Sequence, residues 1–238
     1  MAQSTETDTS RVLFVGNSYT YFWNLPQAVE LMAESRGIPL YTRQSTAGGS
    51  NWGQHWTGKK GLQTVPLIQQ TGWTHVVIQN HSRSTIDSID AFMEYGIKLC
   101  SLIRAEGAEP MLYQTWARRF NPLMQDTISA AYARIGQKTN SDVVPVGQAW
   151  KMARQLRPDL DLYDQDQSHP SPAGTYLAAC VFFSALTGEP AEGLPHRLIT
   201  KDADGEKLYI AIMGTEDARF LQQVADRTLA TTQKMPVK

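Results

Sequence analysis

The run Val12-Leu13-Phe14-Val15 constrains the fold more than any other stretch of the chain. Four consecutive apolar residues, two of them β-branched, fit a strand covered on both faces, and such strands belong inside parallel sheets packed between helices. Gly16 ends the run and permits a sharp turn. Ser18 follows two residues later, at the strand's C-terminal tip and shortly before a helix that Asn24 and Pro26 open. In open α/β sheets that rim is where ligands bind. Gly-Asn-Ser-Tyr is equally compatible with a plain turn after a core strand.

The rest of the chain repeats the pattern of apolar strand, small or polar tip, then helix. Leu25 to Arg36 keeps helical spacing and stops at Gly37. Ile38 to Gln44 reads as a second strand running into a loop from Ser45 to Trp52, too rich in small residues to be anything else. A short helix is predicted over Leu62–Gln70 and a third buried strand over His75–Gln79, ending at Asn80-His81-Ser82. Helical spacing then runs from Phe92 to Gly107, and Pro110 to Gln114 makes a fourth strand. A helix over Leu123–Lys138, a fifth strand over Val143–Val146 and a helix over Trp150–Leu156 follow. Arg157 to Ser171 is aperiodic, and Ser171-Pro172 opens a helix that runs to about Leu186. The tail reads as one extended piece, Leu208 to Met213, and a closing helix from about Glu216. Strands alternating with helices argue one doubly wound domain with a mainly parallel sheet. Residues 1–10 read as a disordered or tag-like segment and 11–238 as that single domain.

At 238 residues with 42% hydrophobic content, the chain can bury a substantial core. Twenty-two Lys+Arg against 23 Asp+Glu give a net charge of -1, so nothing favours nucleic acid or an anionic membrane as partner. No apolar run is long enough to span a bilayer. The polar stretch Met1 to Ser10 lacks the apolar core of a signal peptide, although Met-Ala-Gln also fits a start codon fused to a mature N-terminus; both a cytoplasmic and a secreted or periplasmic location stay open. Cys100 and Cys180 fall in helical patterns and read as small apolar packing groups.

Parallel strands would bring three tips to one rim: Ser18 after the first, Gly48-Gly49 after the second and Asn80 after the third. The glycines leave backbone N–H groups free to face a ligand oxygen, and Asn80 adds a neutral side-chain donor. With the N–H of Ser18, the Gly48-Gly49 backbone and Asn80 make an expected oxyanion hole. Asp166-Gln167-Ser168-His169 supplies a base and a carboxylate three residues apart. Asp166 can accept from His169 Nδ1 and leave Nε2 for the serine. An Asp-x-x-His pair on its own more often just caps a helix.

Taken in order, these four segments resemble the blocks of the SGNH (GDSL-type) hydrolases. Gly16-Asn17-Ser18 matches the nucleophile block, Gly49 the glycine block, Asn80 the asparagine block, and Asp166-Gln167-Ser168-His169-Pro170 the C-terminal Asp-x-x-His block. The resemblance spans roughly residues 11–186. It implies a flavodoxin-like α/β/α sandwich with a five-stranded sheet in order 2-1-3-4-5. It also implies a Ser18-His169-Asp166 esterase that uses no metal or cofactor. Two departures stand out: Asn17 replaces the usual Asp before the serine, and Ile78-Gln79-Asn80-His81 replaces Gly-x-Asn-Asp. Some carbohydrate-ester members carry Gln before the asparagine, which turns the expectation toward short acyl groups on a carbohydrate or similar polar alcohol.

Asn17, Gln79, His81, Trp52 and Trp116 are the candidate substrate contacts. Tryptophan faces at the rim can stack on a sugar ring, but tryptophans are more often packing residues whose N–H finds a partner. His55 either lines the cleft or lies at the surface. His75 and His196 read as structural, and no histidine spacing fits zinc. The aspartates at 159, 161, 164 and 166 lack the glycine and terminal glutamate of a calcium loop. A noncatalytic sugar- or acyl-binding module, an acyltransferase using the same residues, and a flavin-phosphate cradle at the first turn are the competing expectations.

Overall fold

Alternation along the first strand sets the layers. In the computed structural model, which describes residues 9–232, β1 (Ser10–Gly16) turns Val12 and Phe14 into one core cluster and Leu13 and Val15 into the other. All four are fully buried. Large apolar side chains buried this way contribute about 1.5–3 kcal/mol each. A strand buried on both faces must lie inside the sheet, and β1 does. It pairs in parallel with β2 (Leu40–Thr46) on one side and β3 (His75–Ile78) on the other. Then come β4 (Glu109–Tyr113) and β5 (Asp142–Val144), all parallel, in the order 2-1-3-4-5. This is the three-layer α/β/α sandwich expected from the resemblance.

Ten α-helices among the described residues complete the layers. On the face of Val12 and Phe14 lie α2 (Leu25–Ser35), α8 (Val146–Leu156), α9 (Pro172–Thr187) and α10 (Thr215–Thr232). The opposite face is covered by α3 (Trp52–Thr57), α6 (Ile89–Ala105) and α7 (Met124–Thr139). Three short helices, α1 (Ser18–Tyr21), α4 (Thr64–Ile68) and α5 (Ser84–Asp87), sit at the loops. The apolar α9, with Ser171 as its N-cap and residues Ala173 to Ser184 buried, is the spine of its layer. Cys100 and Cys180 are buried and free, one in each core.

The structure departs from the sequence reading at several edges. A helix, α3, starts at Trp52, inside the predicted loop, because Asn51 and Gln54 form a reciprocal capping box there. The helix predicted from Trp150 begins at Val146, directly after Pro145, so the fifth strand stops at Val144. The tail contains an antiparallel hairpin, β6 (Arg197–Lys201) with β7 (Lys207–Ile212), where one extended piece was expected. Residues 1–8, most of the predicted N-terminal segment, lie outside the described residues, and β1 already starts at Ser10. No helix among the described residues is long and apolar enough to cross a membrane.

Candidate active site

The turn after β1 is built around a glycine with no room for a side chain. A Cβ on Gly16 would sit 2.3 Å from Thr20 Oγ1 and 2.5 Å from Gln79 Oε1. Gln79 Oε1 approaches that closely because it accepts from the Asn17 N–H (2.8 Å) and from Thr20 Oγ1 (3.1 Å). Asn17 caps α1: its Oδ1 accepts from the Tyr19 N–H, and its Nδ2 donates to the Ser50 carbonyl at 2.9 Å. Ser18 is therefore the first helical residue of a turn tied to both neighbouring strand tips. Asn17 and Gln79, expected as substrate contacts, are corrected here to braces. Both are almost wholly buried and their polar atoms face other parts of the protein.

The glycine loop after β2 is held from below. Ser50 Oγ donates to the Gly16 carbonyl (3.0 Å), and His55 Nε2 lies 3.0 Å from the same oxygen and 2.9 Å from Ser50 Oγ. A carbonyl only accepts, so Nε2 carries the proton, and Nδ1 accepts from Thr64 Oγ1 at 2.6 Å. Thr64 Oγ1 in turn lies 2.8 Å from Ser45 Oγ. His55 thus neither lines the cleft nor lies at the surface; it is fully buried beneath the loop. Burial, against the opposing hydrogen bond to Gly16, lowers its pKa to about 4. Gly49 sits in the left-handed region at φ 62°, which glycine tolerates without strain.

Asn80, at the tip of β3, accepts with Oδ1 from the Trp52 N–H (3.0 Å) and from its neighbour His81 N–H (2.8 Å). Both oxygen lone pairs are engaged, which fixes the amide and leaves Nδ2 with no partner among the described residues. The Ser18 and Gly49 N–H groups likewise have no acceptor among them. Trp52 does not offer a face to a ligand as expected. It is fully buried, stacked on Phe92 at 4.8 Å, and acts through its backbone on Asn80.

The other half of the site comes from the segment before α9. His169 Nε2 lies 2.7 Å from Ser18 Oγ, across 151 residues of sequence. His169 Nδ1 is hydrogen-bonded to Asp166 Oδ2. The second oxygen, Oδ1, accepts from the Ser168 and His169 N–H groups at 3.0 and 2.9 Å. Partial burial pushes the Asp166 carboxyl up. The hydrogen bonds from the His169 ring and from these two N–H groups outweigh it and hold the carboxyl below its ordinary range. Gln167, between them, adopts a left-handed φ of 60° that turns both N–H groups toward Asp166.

An aromatic scaffold holds this loop in place. Trp116 Nε1 donates to the Ser168 carbonyl (3.0 Å), Trp23 Nε1 to the Pro170 carbonyl (3.0 Å), and the Tyr19 and Ser168 hydroxyls lie 2.6 Å apart. The Arg119 N–H donates to the Gln167 carbonyl, and its guanidinium grips Asp161 through two bonds of 2.9 and 3.0 Å. Phe22 stacks on the His169 ring at 4.5 Å, and Tyr19 meets it edge-on at 5.6 Å. Trp116, expected as a sugar platform, is almost wholly buried and sandwiched between Tyr19 (4.5 Å) and Trp150 (3.9 Å). It is a brace for the histidine loop. Tyr19, Phe22 and Trp23, which follow the serine in the chain, thus all support the histidine loop.

His81 remains at the rim, half-buried, with Nδ1 accepting weakly from the Arg83 N–H at 3.4 Å. Burial first, then the nearby Arg118 cation, lower its pKa below the ordinary histidine value. With Asn80 it borders a cavity of about 450 Å³ between α3 and the segment from Ser84 to Tyr95. A second cavity, about 360 Å³, lies between Trp150 and Leu160 and touches none of Ser18, Asn80 or His169.

The five-stranded parallel sheet in order 2-1-3-4-5 between two helical layers is a fold that this chain shares with solved structures, among them proteins described as SGNH hydrolases and esterases. A protein described as a candidate SGNH hydrolase from Slackia heliotrinireducens superposes with a TM-score of 0.65 at 24% identity, covering 75% of this chain and 99% of its own. A DUF4886 family protein from Bacteroides uniformis gives 0.78 at 18% identity, over 96% of this chain and 98% of its own. A mutant of the acetyl-xylooligosaccharide esterase Axe2 from Geobacillus gives 0.61 at 16% identity, over 77% and 98%. No family model and no curated protein matches the sequence.

Proposed function

We propose that this protein is a serine hydrolase of carboxylic esters, acting on short acyl groups carried by a carbohydrate or similar polar alcohol. Ser18 Oγ attacks the acyl carbon while its proton passes to His169 Nε2. The tetrahedral oxyanion rests on the Ser18 and Gly49 N–H groups and Asn80 Nδ2, donors that stand uncommitted in advance. Collapse breaks the bond to the alcohol oxygen, which takes the proton from Nε2 and leaves an acyl-Ser18. Water then adds to the acyl carbon, giving its proton to His169, and the carboxylic acid departs with Ser18 restored. Asp166 orients the imidazole and supports its positive charge in both halves.

The observation that carries this reading is the 2.7 Å contact between His169 Nε2 and Ser18 Oγ, with the opposite ring nitrogen held by a carboxylate. A core histidine satisfied by packing has no reason to present Nε2 to a strand-tip hydroxyl. The likeness to an esterase such as Axe2 supports the same reading.

Ser18→Ala is expected to abolish p-nitrophenyl acetate hydrolysis and fluorophosphonate labelling while leaving thermal unfolding nearly unchanged. Turnover retained in that variant removes Ser18 from the nucleophile role. An unlabelled wild type returns the rim to the status of a binding site.

A further inference from the structure

Several cations near the rim have no ion-pair partner among the described residues. Arg118, at the tip of β4, has no carboxylate within ion-pair distance among the described residues. Its Nε is buried without a partner, and its one side-chain hydrogen bond is a long 3.4 Å contact to Ser82. Lys60 donates to the Gly48 carbonyl at 2.6 Å and stands so near the glycine loop that a Cβ on Gly49 would lie 3.8 Å from its ammonium. Lys59 borders the cavity beyond Asn80 and has no ion-pair partner among the described residues either. Arg118 and Lys60 both act electrostatically on His81, as do Arg83 and Asp87. Those last two neutralise each other in a 2.7 Å ion pair. Arg118 beside Ser82, Lys60 on the glycine loop and Lys59 at the cavity thus have no ion-pair partner among the described residues, in a chain whose net charge is -1.

Arg118 is only partly buried and its terminal Nη1 has no acceptor among the described residues, so the open end of the guanidinium can meet an incoming anion, as arginine does when it reads a carboxylate. Arg118 reaches toward His81 through its contact with Ser82, and His81, Asn80 and Lys59 border the cavity of about 450 Å³, whose wall also carries Ser84, Ser88 and the Asp87 carboxylate that Arg83 pairs. Its size suits a small-molecule subsite. Resting on the esterase reading above, we propose that the alcohol portion of the substrate is an acidic sugar. Its hydroxyls enter the cavity beside Asn80 and His81, and its carboxylate is held by Arg118 with help from Lys59 and Lys60.

The test compares two ester substrates that differ by one carboxylate, an acetylated methyl glucoside and the corresponding acetylated glucuronic acid, with p-nitrophenyl acetate as a common reference. Wild type is expected to favour the acidic sugar at least tenfold in kcat/KM, and the preference should shrink as salt is raised because it is electrostatic. In Arg118→Gln the preference should fall several-fold, chiefly through KM. Arg118→Lys, a point charge without the fork, should recover only part of it. Should Arg118→Gln unfold, the exposed pair Lys59→Gln and Lys60→Gln must still lower the preference. Equal rates on the two sugars, a preference for the neutral one, or an acid preference that survives these substitutions overturns the proposal. Loss of p-nitrophenyl acetate turnover in wild type would instead sink the esterase reading on which it rests.

Discussion

Lowering the pH should destabilise this protein through one buried ring, His55. In the folded state His55 is fully buried, donates Nε2–H to the Gly16 carbonyl and resists protonation until about pH 4. In the unfolded chain it titrates at its ordinary value of 6.5. Between those two values the unfolded state binds the extra proton, so stability rises with pH across that window and falls as acid is added. The gap between 6.5 and about 4 corresponds to about 3 kcal/mol once the pH is well below 4, and to roughly 2 kcal/mol between pH 7.5 and pH 5. Burial also lowers His75 and His81, so the wild-type slope alone does not isolate the effect. Urea unfolding of wild type and His55→Gln at several pH values does. The variant should be less stable at pH 7.5 but lose about 2 kcal/mol less than wild type on going to pH 5. Parallel slopes for the two proteins would refute the reasoning, as would a His55 ring resonance that titrates near pH 6.5.

Other substitutions test the scaffold around the serine. Gly16→Ala forces a Cβ against Thr20 Oγ1 and Gln79 Oε1 and should cost about 1–3 kcal/mol in chemical denaturation, with a larger proportional loss of activity because Ser18 shifts. Trp116→Phe keeps an aromatic ring between Tyr19 and Trp150 but removes the donor to Ser168. Esterase kcat should fall more than stability does, and equal losses would make Trp116 a packing residue only. Asp166→Asn preserves shape while removing the carboxylate that fixes the His169 tautomer. It should lower kcat on the order of 10³–10⁴-fold with little change in thermal unfolding.

The sheet was legible because its evidence is local. Val12 to Val15 and Val76 to Ile78 are apolar at every position, which only a strand covered on both faces requires, and parallel order then fixes which tips meet. Ser18, Gly49, Asn80, Asp166 and His169 were accessible for the same reason, since each follows a strand or precedes a helix that the pattern marks. The braces were not. Gln79 matters because β1 and β3 are neighbours, so its acceptor reaches the Asn17 N–H, and neither residue advertises that alone. Trp52 and Trp116 look like rim aromatics by position, but their burial depends on what faces them. One signal was present: Gly96, inside the long helix α6, leaves a socket in which any Cβ would strike the Trp52 ring at 2.6 Å. A glycine at a helical core position opposite an unplaced tryptophan argues for a buried ring. β6 was missed because Arg197-Leu198-Ile199-Thr200-Lys201 buries only Leu198 and becomes a strand through its partner.

The division of the site between two distant stretches of chain has a consequence for how this protein matures. The serine and its N–H donors belong to the first eighty residues, while the base arrives on a loop whose anchors include Trp23, Trp116 and Arg119. On the proposed mechanism, a chain in which the His169 loop has not docked on these anchors lacks the base that takes the Ser18 proton. Ester turnover would thus report the final docking of the two halves, and its recovery during refolding should lag behind the return of helix and sheet.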